Sequence, residues 1–152
     1  MYSKIPPIKI IEGNAEQAVA VSRAIPEFVD PPVLHDYKNR LESADQALVL
    51  IALVENEPVG FKVGYTRDND GSFYSWMGGV LPGFRRIGVA QKLADAMERW
   101  ATGQGYTKLR MKTRNQHRHM LLFAIRNGFI ITGFKPYPNN AESRILLEKV
   151  LT

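Results

Sequence analysis

The sequence predicts a single mixed α/β domain over residues 1–152, with a mostly antiparallel sheet flanked by about four helices. Three observations lead there. A continuous apolar run, ALVLIALVEN, suits a strand covered on both faces. Two more strand-like stretches, VGFKVGYT and SFYSWMGGV, follow it behind turn signals. Segments with apolar stripes at helical spacing lie on either side of this group, and no repeat, linker or low-complexity tract breaks it.

Taken in order, Lys9 to Glu12 (KIIE) reads as a short opening strand. Asn14 is placed to cap a helix running to about Ala24, with Ala18, Val19, Val21, Ser22 and Ile25 as its apolar stripe. Pro26 stops that helix, because proline disfavours the helical conformation in the residue before it. Asp30-Pro31-Pro32 opens a second helix reaching about Ser43, since proline is tolerated in a first turn. The three strands of the meander come next, turned at Glu55-Asn56-Glu57-Pro58 and at Asp68-Asn69-Asp70-Gly71. Ile87 to Gln104 is a long helix, with Val89, Leu93, Ala96, Met97 and Trp100 on one side and Gly103 and Gly105 at its end. Tyr106 to Thr113 is a strand, and Gln116 to Asn127 a helix closed by Gly128. Phe129 to Phe134 and Arg144 to Val150 complete the order β-α-α-β-β-β-α-β-α-β-β.

Composition narrows the chemistry. The absence of cysteine excludes disulfides, thiol catalysis and thiolate metal sites. No apolar run is long enough to span a bilayer, and MYSKIPPIKI lacks the apolar core of a signal peptide, so a cytoplasmic protein is expected. The formal charge of +5 favours anionic partners. Lys108, Arg110, Lys112, Arg114 and Arg118 form a run without acids, either a solvated strand face or a phosphate contact. Aromatic residues are not interleaved with those basic positions, which argues against single-stranded nucleic acid. His117 and His119 lie two apart on a helix and do not face each other, so no metal site is expected.

The segment VLPGFRRIGVAQKL, Val80 to Leu93, starts as a strand and ends as a helix. A first helical turn carries backbone N–H groups without internal partners, and its dipole favours anions. Gly88 and the small Ala90 let a diphosphate approach the backbone, and Arg85 and Arg86 add charge. There is no G-x-x-x-x-G-K-[ST] and no G-x-G-x-x-G, which excludes Walker and Rossmann loops.

This pattern resembles the pyrophosphate loop of the GNAT N-acetyltransferases. That loop has the form (Gln or Arg)-x-x-Gly-x-(Gly or Ala) behind V-x-P-x-(Tyr or Phe), and here the residues are V-L-P-G-F-R-R-I-G-V-A. Met120 to Phe129, MLLFAIRNGF, is similar to the family's helix ending in Gly-Phe, and the order of elements also fits.

The resemblance implies a sheet splayed between its fourth and fifth strands, with the pantetheine arm of acetyl-CoA in the gap. It implies that the backbone of Met77, Gly78, Gly79, Val80 and Leu81 pairs with pantetheine, with Gly79 and Val80 contacting the thioester. Gly78-Gly79 would supply a bulge aiming an N–H at the carbonyl, or else only a tight bend. Arg85, Arg86, Ile87, Gly88, Val89, Ala90 and Gln91 would wrap the diphosphate. Asn115 would stand near the cofactor, cap the following helix, or both.

The implied reaction is direct attack of a primary amine, on a small molecule or peptide, upon acetyl-CoA. The tyrosine that many relatives place four residues before the Gly of Gly-Phe is Ala124 here, and the preceding Phe123 also lacks a hydroxyl. The stretch Ser72 to Val80 has no carboxylate. Glu27 is then the first candidate base, or simply a solvated loop acid, and His35 is a second candidate; a water chain is the alternative to either. Phe61, Tyr65, Tyr74 and Trp76 could line an acceptor pocket or belong to the core. The other function consistent with these residues is a non-catalytic acyl-CoA binding or sensing module. The sequence leaves open the acceptor, longer acyl donors and the oligomeric state, a homodimer included.

Overall fold

The computed structural model describes residues 5–28 and 33–152. Its elements follow the expected order: β1 (Ile8–Glu12), α1 (Ala15–Arg23), α2 (Leu34–Ser43), β2 (Ala47–Val54), β3 (Glu57–Tyr65), β4 (Ser72–Val80), α3 (Val89–Gly103), β5 (Lys108–Arg114), α4 (Arg118–Arg126), β6 (Ile130–Lys135) and β7 (Arg144–Val150). Asn14 caps α1 through a full capping box. Its side chain accepts from Gln17 N–H at 2.9 Å, and the Gln17 side chain accepts from Asn14 N–H at 3.0 Å. The expected opening of the second helix at Asp30-Pro31-Pro32 lies outside the described residues.

The turn after β2 is tighter than expected. Glu55 and Asn56 alone make it, both with positive φ (51° and 67°), which suits the right-handed twist of a hairpin. Glu57 and Pro58 are therefore already in β3, and Pro58 sits where the β2–β3 register shifts, a place where its missing N–H does no harm. The helices α3 and α4 each begin two residues later than expected, because Gly88 (φ 97°) and His117 hold non-helical conformations ahead of them.

The sheet has seven strands in the order β1-β2-β3-β4-β5-β7-β6. Every neighbouring pair is antiparallel except β4 and β5, which run parallel and pair only at Ser72–Lys108, Phe73–Leu109 and Tyr74–Arg110. Beyond Tyr74 the two strands diverge, so the expected splay is present.

Two apolar layers cover the first half of the sheet. On one face, Val89, Leu93, Met97 and Ala101 of α3 pack against Leu48, Leu50, Val59, Phe73 and Leu109. On the other, Ala18, Val19, Val21 and Tyr37 of α1 and α2 pack against Val49, Ile51, Phe61 and Val63. Helix α4 lies on the α3 side, where Ala124 meets Ile145 and Leu147. No helix among the described residues is long and apolar enough to cross a membrane.

Candidate active site at the strand fork

The β3–β4 ladder slips between Val63 and Gly64, so that Val63 faces Met77, Gly64 faces Ser75, and Trp76 is the extra residue. The bulge thus lies at Trp76, not at Gly78-Gly79 as expected from the glycines. Its consequence is local. Trp76 and Met77 both pack on the α1/α2 side, although strict alternation would have put Met77 on the opposite face.

The bulge also resets which backbone groups face the gap. Leu81 N–H donates to Val59 O at 2.8 Å, so alternation turns Met77 and Gly79 toward β3 and leaves Gly78 and Val80 facing the fork. The Val80 carbonyl points that way, and accepts from Arg85 Nε at 3.0 Å. Gly79 serves a different need. A Cβ there would lie 2.7 Å from Ile25 Cδ1 and 3.1 Å from Phe28 Cε2, so the segment that follows α1 packs directly on its backbone.

Below the fork, Pro82–Phe84 form a 3-10 turn, and the chain then enters α3 through Arg86 and Gly88, both left-handed (φ 66° and 97°). A Cβ on Gly88 would meet nothing within 4 Å, so its backbone is open to an approaching ligand. The N–H groups of Val89, Ala90 and Gln91 open the helix above it with no side-chain cap.

Arg85 does not point freely into this loop. Its two terminal nitrogens donate to the two carboxylate oxygens of Glu27 at 2.6 and 3.0 Å. The hydrogen bond from Arg85 holds the Glu27 carboxyl below the ordinary glutamate range. A carboxylate occupied by a guanidinium and made less basic is a weaker proton acceptor. Gln91 is likewise engaged, its side-chain amide donating to Asp95 at 2.9 Å and to Asn127 of α4 at 2.6 Å, which links the two helices flanking the cleft. Asn115 caps no helix. Its amide donates to Asn140 O at 3.2 Å and ties the end of β5 to the β6–β7 loop. His35, the second candidate base, has its ring Nε2 3.0 Å from the Asn39 amide on an exposed face of α2. Among the described residues no three potential metal ligands gather.

A cleft on the α3/α4 side is lined by Lys62, Ser75, Glu98, Met111, Phe123 and Ala124. Ala124 therefore faces the fork, where a tyrosine would have placed its hydroxyl. Lys62 is the residue that sequence reasoning missed. Its stem passes over Gly78, whose added Cβ would stand 3.6 Å from Lys62 Cγ. Glu98, the acid lining the same cleft, is held at 2.8 Å by Lys149. Burial pushes the Lys62 ammonium down to about 8. A signal was available: period two puts Gly60, Lys62 and Gly64 on one face of β3, and a lone lysine between two glycines on a buried face calls for a reason.

A central sheet forked between parallel strands, with a left-handed turn feeding a helix at the base of the fork, defines the architecture of acyl-CoA-dependent acyltransferases. The model of the acetyltransferase (GNAT) family matches residues 17–129, and the chain belongs to that family, which uses acetyl-CoA as co-substrate. Among solved structures, the ribosomal-protein-S18-alanine N-acetyltransferase from Escherichia coli is similar over 96% of this chain and 95% of its own, at 12% identity and a TM-score of 0.81. Ard1 from Thermoplasma volcanium matches over 95% and 98%, at 21% identity and a TM-score of 0.80. The IAA acetyltransferase from Bacillus cereus matches over 95% and 100%, at 18% identity and a TM-score of 0.74. Among curated proteins, none matches the sequence at a significant level.

Proposed function

We propose that this protein is an N-acetyltransferase that moves the acetyl group of acetyl-CoA directly to a primary amine of a small molecule or peptide. The observation that carries this reading is the divergence of β4 from β5 after Tyr74, with the polar backbone of Gly78 and Val80 turned into the gap. Pantetheine amides would pair with that edge, and the Gly78 N–H, beside the bulge, would stabilise the oxyanion as the amine adds. The diphosphate would rest on Arg86 to Gln91, where left-handed backbone and an uncapped helix start present N–H donors. Arg85, tethered by Glu27, would brace the loop against β4.

The amine nitrogen attacks the thioester carbon, the C–S bond breaks, and its electron pair goes to sulfur. Lys62, which lines the cleft where Ala124 offers no hydroxyl, would give that thiolate its proton. An amine that loses its proton to water completes the balance, leaving an amide and the CoA thiol.

Isothermal titration with CoA, followed by a screen of amines, amino acids and peptides for thiol release, tests this reading. Arg85→Ala combined with Gly88→Glu should abolish CoA binding, and unchanged affinity would mean that the loop is wrongly assigned. Binding of CoA with no thiol release from any amine would leave a non-catalytic acyl-CoA binding module.

A further inference from the structure

The fork opens on a second face, opposite α3 and α4, and cations outnumber carboxylates among the side chains there. Lys112 of β5 lies 5.9 Å from the ring centre of Tyr74, and Arg67, just after β3, stacks over the same ring at 4.4 Å. Arg40 of α2 sits 4.7 Å from the Trp76 ring and donates to the Tyr65 hydroxyl at 3.0 Å. Lys135 of β6 and Arg144 of β7 lie 5.8 and 4.6 Å from the Tyr137 ring centre and near enough to Lys112 to repel it. Five elements or their ends thus bring cations to one mouth. A cleft of about 280 Å³ runs beneath it, lined by Arg67, Tyr74, Arg110, Lys112, Thr132 and Glu148. That volume is near the lower end of small-ligand sites.

The charges are not balanced from within. Arg110 is satisfied, by Asp70 at 2.6 Å, Glu148 at 3.2 Å and Asp68 at 3.4 Å. Arg67 shares Asp68 at 3.6 Å, and Arg144 reaches Glu142 only at 3.9 Å. Arg40, Lys112 and Lys135 have no carboxylate within ion-pair distance among the described residues. Burial, and then the repulsion of Arg67, Lys135, Arg144 and Arg40, pushes the Lys112 ammonium below its ordinary range. Cations gathered in excess of their counter-ions are a local cost that folds tolerate at working sites.

Resting on the acetyltransferase reading above, we propose that the acceptor is a primary amine carrying a carboxylate or phosphate, held by Arg40, Arg67 and Lys112 with its amine turned into the fork. The anion neutralises the surplus cations, and Tyr74 and Trp76 wall the group that joins it to the amine. The cations that one anion leaves unbalanced disfavour an ammonium at the fork, so the acceptor's nitrogen gives up its extra proton more readily there. This accounts for a β4 without any carboxylate: the site needs less of a base. The nitrogen forms its bond to the acetyl carbon, sulfur leaves with the C–S pair and takes a proton, and the amine's own proton passes to water.

Matched acceptor pairs test this: amino acids against their carboxamides, aminosugar phosphates against the free aminosugars, and acidic N-terminal peptides against neutral ones. The anionic member should show at least a tenfold higher kcat/KM in one of the three sets, and that set identifies the source of the anion. Lys112→Gln and Arg67→Gln, checked by thermal melting, should erase this preference and leave the Kd for CoA unchanged. Equal use of both members in every set, or a preference that survives both substitutions, overturns the proposal. Titration of the same compounds into the CoA complex reads the site without turnover. Selective anion-dependent binding with no acetylation would refute the enzyme reading alone, and turnover confined to uncharged amines would refute the acceptor class alone.

Discussion

Replacing Lys62 by methionine should stabilise the protein at neutral pH and do progressively less as the solution becomes alkaline. The stem of methionine covers Gly78 much as that of lysine does, so the packing change is small. The charge change is not. Burial lowers the ammonium from 10.5 to about 8, a difference worth up to about 3 kcal/mol between the two protonation states. The sign follows from proton binding. Between the two values the unfolded chain holds a proton that the folded chain has lost, so wild-type stability rises with pH there. The penalty is fully present below about pH 8 and disappears by about pH 10.5. Urea unfolding at pH 7 and pH 10 should therefore show Lys62→Met ahead of wild type by about 1–3 kcal/mol at the lower pH, and the gap should narrow at the higher. A gap that does not change with pH, or a variant less stable at pH 7, would refute the assignment of Lys62 as a half-buried cation with no carboxylate partner among the described residues. Activity should move the other way. On the proposed role of Lys62 as proton donor, the variant should lose roughly 10²-fold or more in kcat, while CoA still binds.

Two smaller changes test the scaffold. Gly88→Ala should cost about 1–2 kcal/mol, since φ of 97° is strained for any side chain and no clash adds to it; thermal melting reads the loss, and CoA affinity should fall with it. Asn14→Ala removes the capping box of α1 and should cost about 1 kcal/mol by chemical denaturation, with CoA affinity unchanged because the cap lies far from the fork along the chain.

Much of the fold was legible in local chemistry. Asn14 and Gln17 spell the capping box three residues apart, and the apolar run of β2 with its turns spells the meander. The loop at Arg85 to Ala90 stood out by glycine, charge and position, and its assignment to the diphosphate is part of the proposed function. What escaped depended on partners distant in the chain. The bulge at Trp76 is fixed by register against β3, not by the neighbouring glycines that suggested it. Glu27 and Arg85 stand 58 residues apart, so their pairing left no local trace. The basic strand β5 shows the limit best. Arg110 and Lys112 look alike in sequence, yet Asp68, Asp70 and Glu148 meet the first and no carboxylate meets the second.

The parallel seam of β4 and β5 spans only Ser72 to Tyr74 on one side and Lys108 to Arg110 on the other. The clefts on the two faces of the fork each take residues from both halves of the sheet, and neither half owns either one. A molecule lying in the fork would touch both halves at once and act as a rivet between them. Any looseness in the seam would be felt first as weaker grip on ligands, well before the sheet itself came apart.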